Sequence, residues 1–231
     1  IAPHEPWGSI RKLTEEGKVK TFNWFCDDTW RFDDFSSKAC WNFNYCSTPE
    51  PSYVSKFKGI GYKNILLGVW YANSDYYPLI EKDIDLSFVG GMNKDRQEFF
   101  DSIKVPVTLA KNLTIEQLFN FYCRSKIGIN LSTNANDPEK KTQMKQRVFE
   151  LAAANCVVLT EDHPGLHEFF EEGKEMVTFS NKDEFEEKVN FLLSNPEESK
   201  EIALNGYNRF IKDHESKVRL SNLLEEIFNE S

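Results

Sequence analysis

Short apolar runs recur along the chain, and several are continuous rather than alternating. They fall at residues 21–26, 45–48, 64–69, 86–90, 105–109, 127–131, 157–160 and 176–179. A strand with one wet face alternates in polarity. A strand covered on both faces does not, so these runs predict parallel strands buried between layers. Helical periodicity fills the gaps. Thr114 heads a helix reaching Ser125, with Leu118, Phe119 and Tyr122 on one stripe. Residues 144–154 form a helix that turns Val148, Leu151 and Ala152 inward. Asn181 caps a helix over 182–193, in which Phe185, Val189 and Leu192 recur. Asn195-Pro196 starts another that runs to Asp213, and 217–228 is a last amphipathic stretch. This alternation predicts an α/β fold: a Rossmann-like parallel sheet with flanking helices.

Residues 72–82 carry Asn73, Ser74, Pro78 and paired charges, and they separate an aromatic-rich first part from a helix-rich remainder. The expected division is 1–75 and 76–231. The first part lacks a complete sheet pattern and the chain starts with Ile1, so its N-terminal half reads as truncated. The net charge of −9 argues against non-specific nucleic-acid binding, which rests on Lys and Arg neutralising phosphates. One nucleotide can still bind a small basic site on an acidic protein. No apolar run approaches the ~20 residues of a membrane span, and residues 1–7, with two prolines, carry no signal-peptide core. Five cysteines at wide spacings fit neither a disulfide framework nor a zinc site, and four histidines form no metal cluster. Free thiols point to a reducing, cytoplasmic setting.

Four segments carry candidate chemistry. In the stretch from Leu86 to Arg96, Gly90 and Gly91 follow a strand and precede a helix. The backbone there can approach a phosphate, with Lys94 or Arg96 adding charge; the alternative is a tight turn with solvated basic residues. In the stretch from Gln143 to Ala154, Lys145, Arg147 and Glu150 lie near a helix start. A carboxylate there can accept both ribose hydroxyls and the cations can pair with a diphosphate; the alternative is a surface i,i+3 charge pair. The loop from Thr160 to Glu168 follows a strand, where His163 could serve as a general base or Pro164-Gly165 could simply turn the chain. In Asn23 to Phe32, Asp27 and Asp28 could hold sugar hydroxyls or a metal, with Trp30 stacking on a ring; equally, either Asp could cap a helix.

Taken in order, residues 84–98, 125–134 and 143–175 resemble the C-terminal half of the CgeB-like glycosyltransferases, within the group-1 superfamily of GT-B type. Residues 23–35 and 61–75 resemble the end of that family's N-terminal half and its linker. The resemblance implies two Rossmann-like domains facing across a cleft, with the nucleoside-diphosphate sugar on the C-terminal one. It implies that Glu150 binds the ribose and that Arg96, beside Gly90-Gly91, meets the diphosphate, with Lys145 and Arg147 adding contacts. It implies no cofactor or metal, an acceptor hydroxyl on a glycan, lipid or protein, and Gly173 closing the helix after Glu168. His163 and Asp28 are the candidate catalytic groups near the acceptor. The superfamily's first glutamate would fall at Thr142, which is not acidic. Two readings stand beside this one: a nucleotide-sugar-binding module without turnover, and a structural or interaction protein.

Overall fold

The computed structural model describes residues 7–133, 137 and 139–229; His4 and Asn134 lie outside them. The chain forms two compact units. One runs to Val69 and takes in the chain again from Ser221; the other spans Trp70–Leu220.

The first unit holds three parallel strands, β1 (Phe22–Trp24), β2 (Tyr45–Thr48) and β3 (Ile65–Leu67), with β2 central. Its longer helices are α1 (Gly8–Glu16) and α2 (Pro51–Gly59), with short helical turns from Asp28 to Asn42 between them; α2 is started by Pro51, whose missing N–H costs nothing at a helix N-terminus. Its core is aromatic: Phe25, Phe32, Phe43, Tyr53, Phe57 and Tyr62 are buried together. Phe32 meets Phe57 edge-on, with centroids 4.8 Å apart, the geometry that ring quadrupoles favour. On the other face Leu223 and Ile227 pack with Tyr45 and Leu66.

The second unit is a five-stranded parallel sheet in the order β5-β4-β6-β7-β8: β4 (Ile84–Val89), β5 (Thr108–Ala110), β6 (Ser125–Asn130), β7 (Val157–Glu161) and β8 (Val177–Phe179). Its helices are α3 (Lys94–Ser102), α4 (Ile115–Arg124), α5 (Gln146–Ala153), α6 (Lys182–Ser194) and α7 (Pro196–Asp213); α8 (Ser216–Asn229) begins in this unit and ends in the first. Thr114 caps α4 through a full capping box with Gln117, and Asn181 caps α6. One face of the sheet buries Leu86, Phe88, Ile127 and Ile129 against Phe100 of α3 and Phe185 and Val189 of α6. Residues alternate across a strand, so Gly128 faces the other way, onto α5. A Cβ there would lie 2.2 Å from Cδ2 of Leu151, and the missing side chain lets the helix lie close on β6. Lys82 sends its ammonium to the carbonyls of Cys123 (3.0 Å), Ser125 (2.9 Å) and Ala154 (2.8 Å), closing the ends of α4 and α5 together.

The chain leaves β4 for β5 and then crosses back to β6. This places a topological switch point between the carboxyl ends of β4 and β6, where open α/β sheets form ligand crevices.

All eight strand expectations meet a strand, though β5 starts three residues later than the apolar run does. The division falls after Val69 rather than after residue 75, and the C-terminal residues return to the first unit. Gly173 closes no helix. It sits at φ +77° in a turn whose amide bonds the Met176 carbonyl at 2.8 Å, and the preceding helical segment is only the short 3₁₀ turn Pro164–Glu168. Asp27, at the N-cap of the helical turn Asp28–Arg31, provides no side-chain cap, and Asp28 is the first residue of that turn.

Candidate functional site

The site grows from the end of β4. Phe88, two residues before Gly90, is buried and its ring is a platform for two cations. The Arg96 guanidinium lies 5.5 Å from its centroid and that of Arg147 lies 4.9 Å away. Asn93 caps α3 by accepting from the Arg96 amide at 2.9 Å, and Arg96 Nη1 donates to the Gly91 carbonyl at 2.8 Å. A Cβ on Gly90 would stand 3.1 Å from Arg147 Nη2 and from Phe88 Cζ. Glycine is what leaves room there for the guanidinium to lie across the strand end.

Arg147 is steered from β6. The buried Asn130 donates to Thr160 Oγ1 (2.8 Å) and Ser132 Oγ (3.0 Å), which leaves its Oδ1 to accept from Arg147 Nη1 at 3.3 Å. Arg147 Nε is buried with no hydrogen-bond partner. Burial, and then the neighbouring Arg147, hold the Arg96 guanidinium below its ordinary value, while Glu161 acts the other way. Two like charges converge here, one with an unsatisfied donor, an arrangement that an anion completes.

Glu150 follows Arg147 by three residues and shares its helical face. Burial raises its carboxyl, and Arg147 opposes the shift. Tyr122 of α4 closes the far side. Burial pushes its phenol up to about 12, against the charge of Arg147 and a hydrogen bond with it. These groups line one cavity of about 450 Å³. Gly90, Arg96, Lys145, Arg147 and Glu150 face its polar part; Val89, Leu118 and Tyr122 form an apolar wall suited to a nucleobase.

Five of the residues singled out in the sequence therefore meet in one place. Gly91 is exposed and lines no part of the cavity; it contributes the carbonyl that holds Arg96. His163 is buried and its Nδ1 lies 3.0 Å from Thr142 Oγ1, away from that lining. Asp28 belongs to the first unit and has no exposed surface; burial raises its carboxyl, opposed by Ser36 and Thr48. Within the second unit His163 is not among the residues that line the cavity with Glu150. Phe88, Asn130 and Tyr122 are the functional positions that pattern reading missed. Phe88 and Asn130 lie in strands buried at nearly every position, and nothing along the chain says which cations they meet. Among the described residues no group of three or more His, Cys, Asp or Glu is placed to hold a metal ion, and no helix is long and apolar enough to cross a membrane.

A family model described as "Glycosyl transferase-like" matches residues 78–225. Nothing among the curated proteins matches the chain. Among solved structures, Alr3699/HepE of Anabaena in complex with UDP is 10% identical, with a TM-score of 0.73; the match covers 95% of this chain and 75% of that one. A glycosyltransferase from Rickettsia africae is 11% identical with a TM-score of 0.65, covering 100% and 76%. Sucrose-phosphate synthase from Thermosynechococcus elongatus is 12% identical with a TM-score of 0.62, covering 84% and 61%. At these identities the likeness is one of fold.

Proposed function

The chain belongs to the glycosyl transferase-like family, and from that premise we propose that its second unit binds the nucleoside-diphosphate sugar of a GT-B reaction through Glu150, Arg96 and Arg147. The protein is a glycosyltransferase that moves a sugar from a nucleotide sugar to an acceptor. The single observation that carries the residue assignment is the pair of guanidiniums on Phe88, beside the half-buried carboxylate of Glu150, in one cavity at the switch point. Glu150 accepts from the ribose hydroxyls. Arg96 and Arg147, with Lys145 at the start of α5, meet the diphosphate. Leu118 and Tyr122 lie under the base.

The leaving group of the reaction is the nucleoside diphosphate, so charge develops on the oxygen that departs from the sugar. Fixed guanidiniums aimed at that oxygen stabilise the transition state without reorganising. They supply the positive charge themselves, so the reading requires no metal. Within the family we assign the chain to the CgeB-like group, with a hydroxyl on a glycan, lipid or protein as acceptor; the cysteine usage suits a cytoplasmic setting. Uridine is the first base to try, since HepE was solved with UDP.

A donor-binding module without turnover is the second reading. It is favoured by Thr142, which stands where the superfamily has a glutamate and bonds His163 instead. Release of free sugar from the bound donor decides between the two.

Calorimetric titration of the full chain with UDP, GDP and ADP tests the proposal. One diphosphate should bind, Glu150→Ala should weaken it by about 1–3 kcal/mol, as for a lost charged acceptor, and EDTA should leave binding unchanged. A well-folded chain that binds none of the three sinks the assignment.

A further inference from the structure

A second cavity, of about 190 Å³, adjoins the first, and Arg96 lines both. Its other walls come from the start of α3 and from the ends of β6 and β7, all in the second unit: Asn93, Asp95, Thr133, Lys140 and Glu161 supply the polar groups. At about 30 Å³ per water, the space holds about six waters, the displacement of one pyranose ring. It is too small for a nucleoside or a disaccharide.

The hydrogen-bonding capacity is that of a polyol site. Asn93 spends its carbonyl oxygen on the α3 cap, which leaves its amide to donate. Glu161 takes the Thr133 amide on Oε2 at 2.8 Å, which leaves its other oxygen to accept. Lys140 is tied to Asp95 by an ion pair and keeps two further N–H donors. The charges balance in a telling way. Lys140 is matched by Asp95. Arg96 is shared with the diphosphate cavity, so a bound diphosphate takes up its charge. Glu161 is then the group that an incoming ligand meets uncompensated. An anionic sugar would place a second negative charge beside it in a half-buried space, where like charges are costly.

We propose that this cavity is the subsite for the transferred sugar and that it takes a neutral hexosyl group while rejecting a uronic acid, with Glu161 as the discriminating residue. The inference rests on the donor assignment above. The transferred ring reaches the cavity past Arg96, which the diphosphate engages, while the nucleoside fills the larger space.

The test compares UDP, UDP-glucose and UDP-glucuronic acid on the full-length chain and on Glu161→Gln, by calorimetry. The variant keeps an oxygen for the Thr133 amide and removes only the charge. UDP-glucose should bind at least tenfold more tightly than UDP-glucuronic acid. In Glu161→Gln that gap should shrink at least fivefold, through a larger gain for the uronic acid than for UDP or UDP-glucose. Equal binding of the two sugars by the unaltered chain, or an equal effect of the variant on all three ligands, overturns the subsite and leaves the donor assignment standing. If GDP or ADP is the diphosphate that binds, its neutral-sugar and uronic-acid conjugates take the same test; failure of UDP, GDP and ADP alike overturns both.

Discussion

Glu150 is half-buried beside Arg147, and burial raises its carboxyl above the ordinary value. Above the folded value the buried charge costs stability; below the ordinary 4.5 both folded and unfolded chains are protonated and the cost is gone. Stability from this residue therefore rises as pH falls through that window. Glu150→Gln should raise the melting temperature of the ligand-free protein at pH 7, and the gain should vanish below pH 4.5, while UDP affinity drops at every pH. A variant less stable at neutral pH would mean that the carboxylate has a structural partner, contrary to the ligand role. Strain kept at a site for the sake of its ligand is what a stability–function trade-off looks like at a single position. The run from Gln143 to Ala154 advertised Lys145, Arg147 and Glu150, because cations and a carboxylate clustered at a helix start are visible in one dimension. The loop that suggests His163 does not reveal its hydrogen-bond partner Thr142, 21 positions away in sequence.

At the scale of elements, α4 and α5 are held together by one half-buried lysine. Lys82 reaches three carbonyls from two stretches of chain, at 2.8–3.0 Å. Lys82→Met keeps the length of the stem and removes the donors, leaving acceptors at both helix ends without their partner. The expected loss is about 2–4 kcal/mol of unfolding free energy, measured by urea denaturation at pH 7, with UDP affinity also reduced because α4 and α5 carry Tyr122 and Glu150. A change under 0.5 kcal/mol in the measurement would show that water replaces the ammonium at little cost. The composition of 72–82 made Lys82 look like a linker charge, and only the approach of two helix ends turns it into a cap. Helices α1 and α2 were not picked out by the pattern reading; in the fold α1 buries no residue fully and α2 only Tyr53 and Phe57.

At the scale of the whole molecule, titrating groups with opposite signs act together. His214, almost fully buried, is held down to about 3 by burial first and by Arg219 next; Nε2 donates to the Phe169 carbonyl at 3.1 Å while Nδ1 accepts from Arg219. An unfolded histidine binds its proton near 6.5 and the folded one does not until about 3. Folding stability is therefore lost as pH falls through that window, by at most about 4–5 kcal/mol. His214 therefore destabilises the second unit on the acid side, against the opposite trend of Glu150. Urea midpoints between pH 4 and 7 should fall steeply for the unaltered chain and more gently for His214→Gln; parallel curves would assign the acid loss to other groups. What the sequence determined by itself was the local grammar: eight strands, the caps at Thr114 and Asn181, the helix start at Asn195-Pro196, the α/β class, and a cluster of charges at a helix start. Those follow from periodicity and cap chemistry, which act over a few residues. Tertiary structure alone decided that Phe88 carries two guanidiniums, that Asn130 steers one of them, that Gly128 lets α5 close on the sheet, and that residues from Ser221 rejoin the first unit. Each of these is a contact between positions far apart in the chain, set by packing and strand order, on which local periodicity is silent.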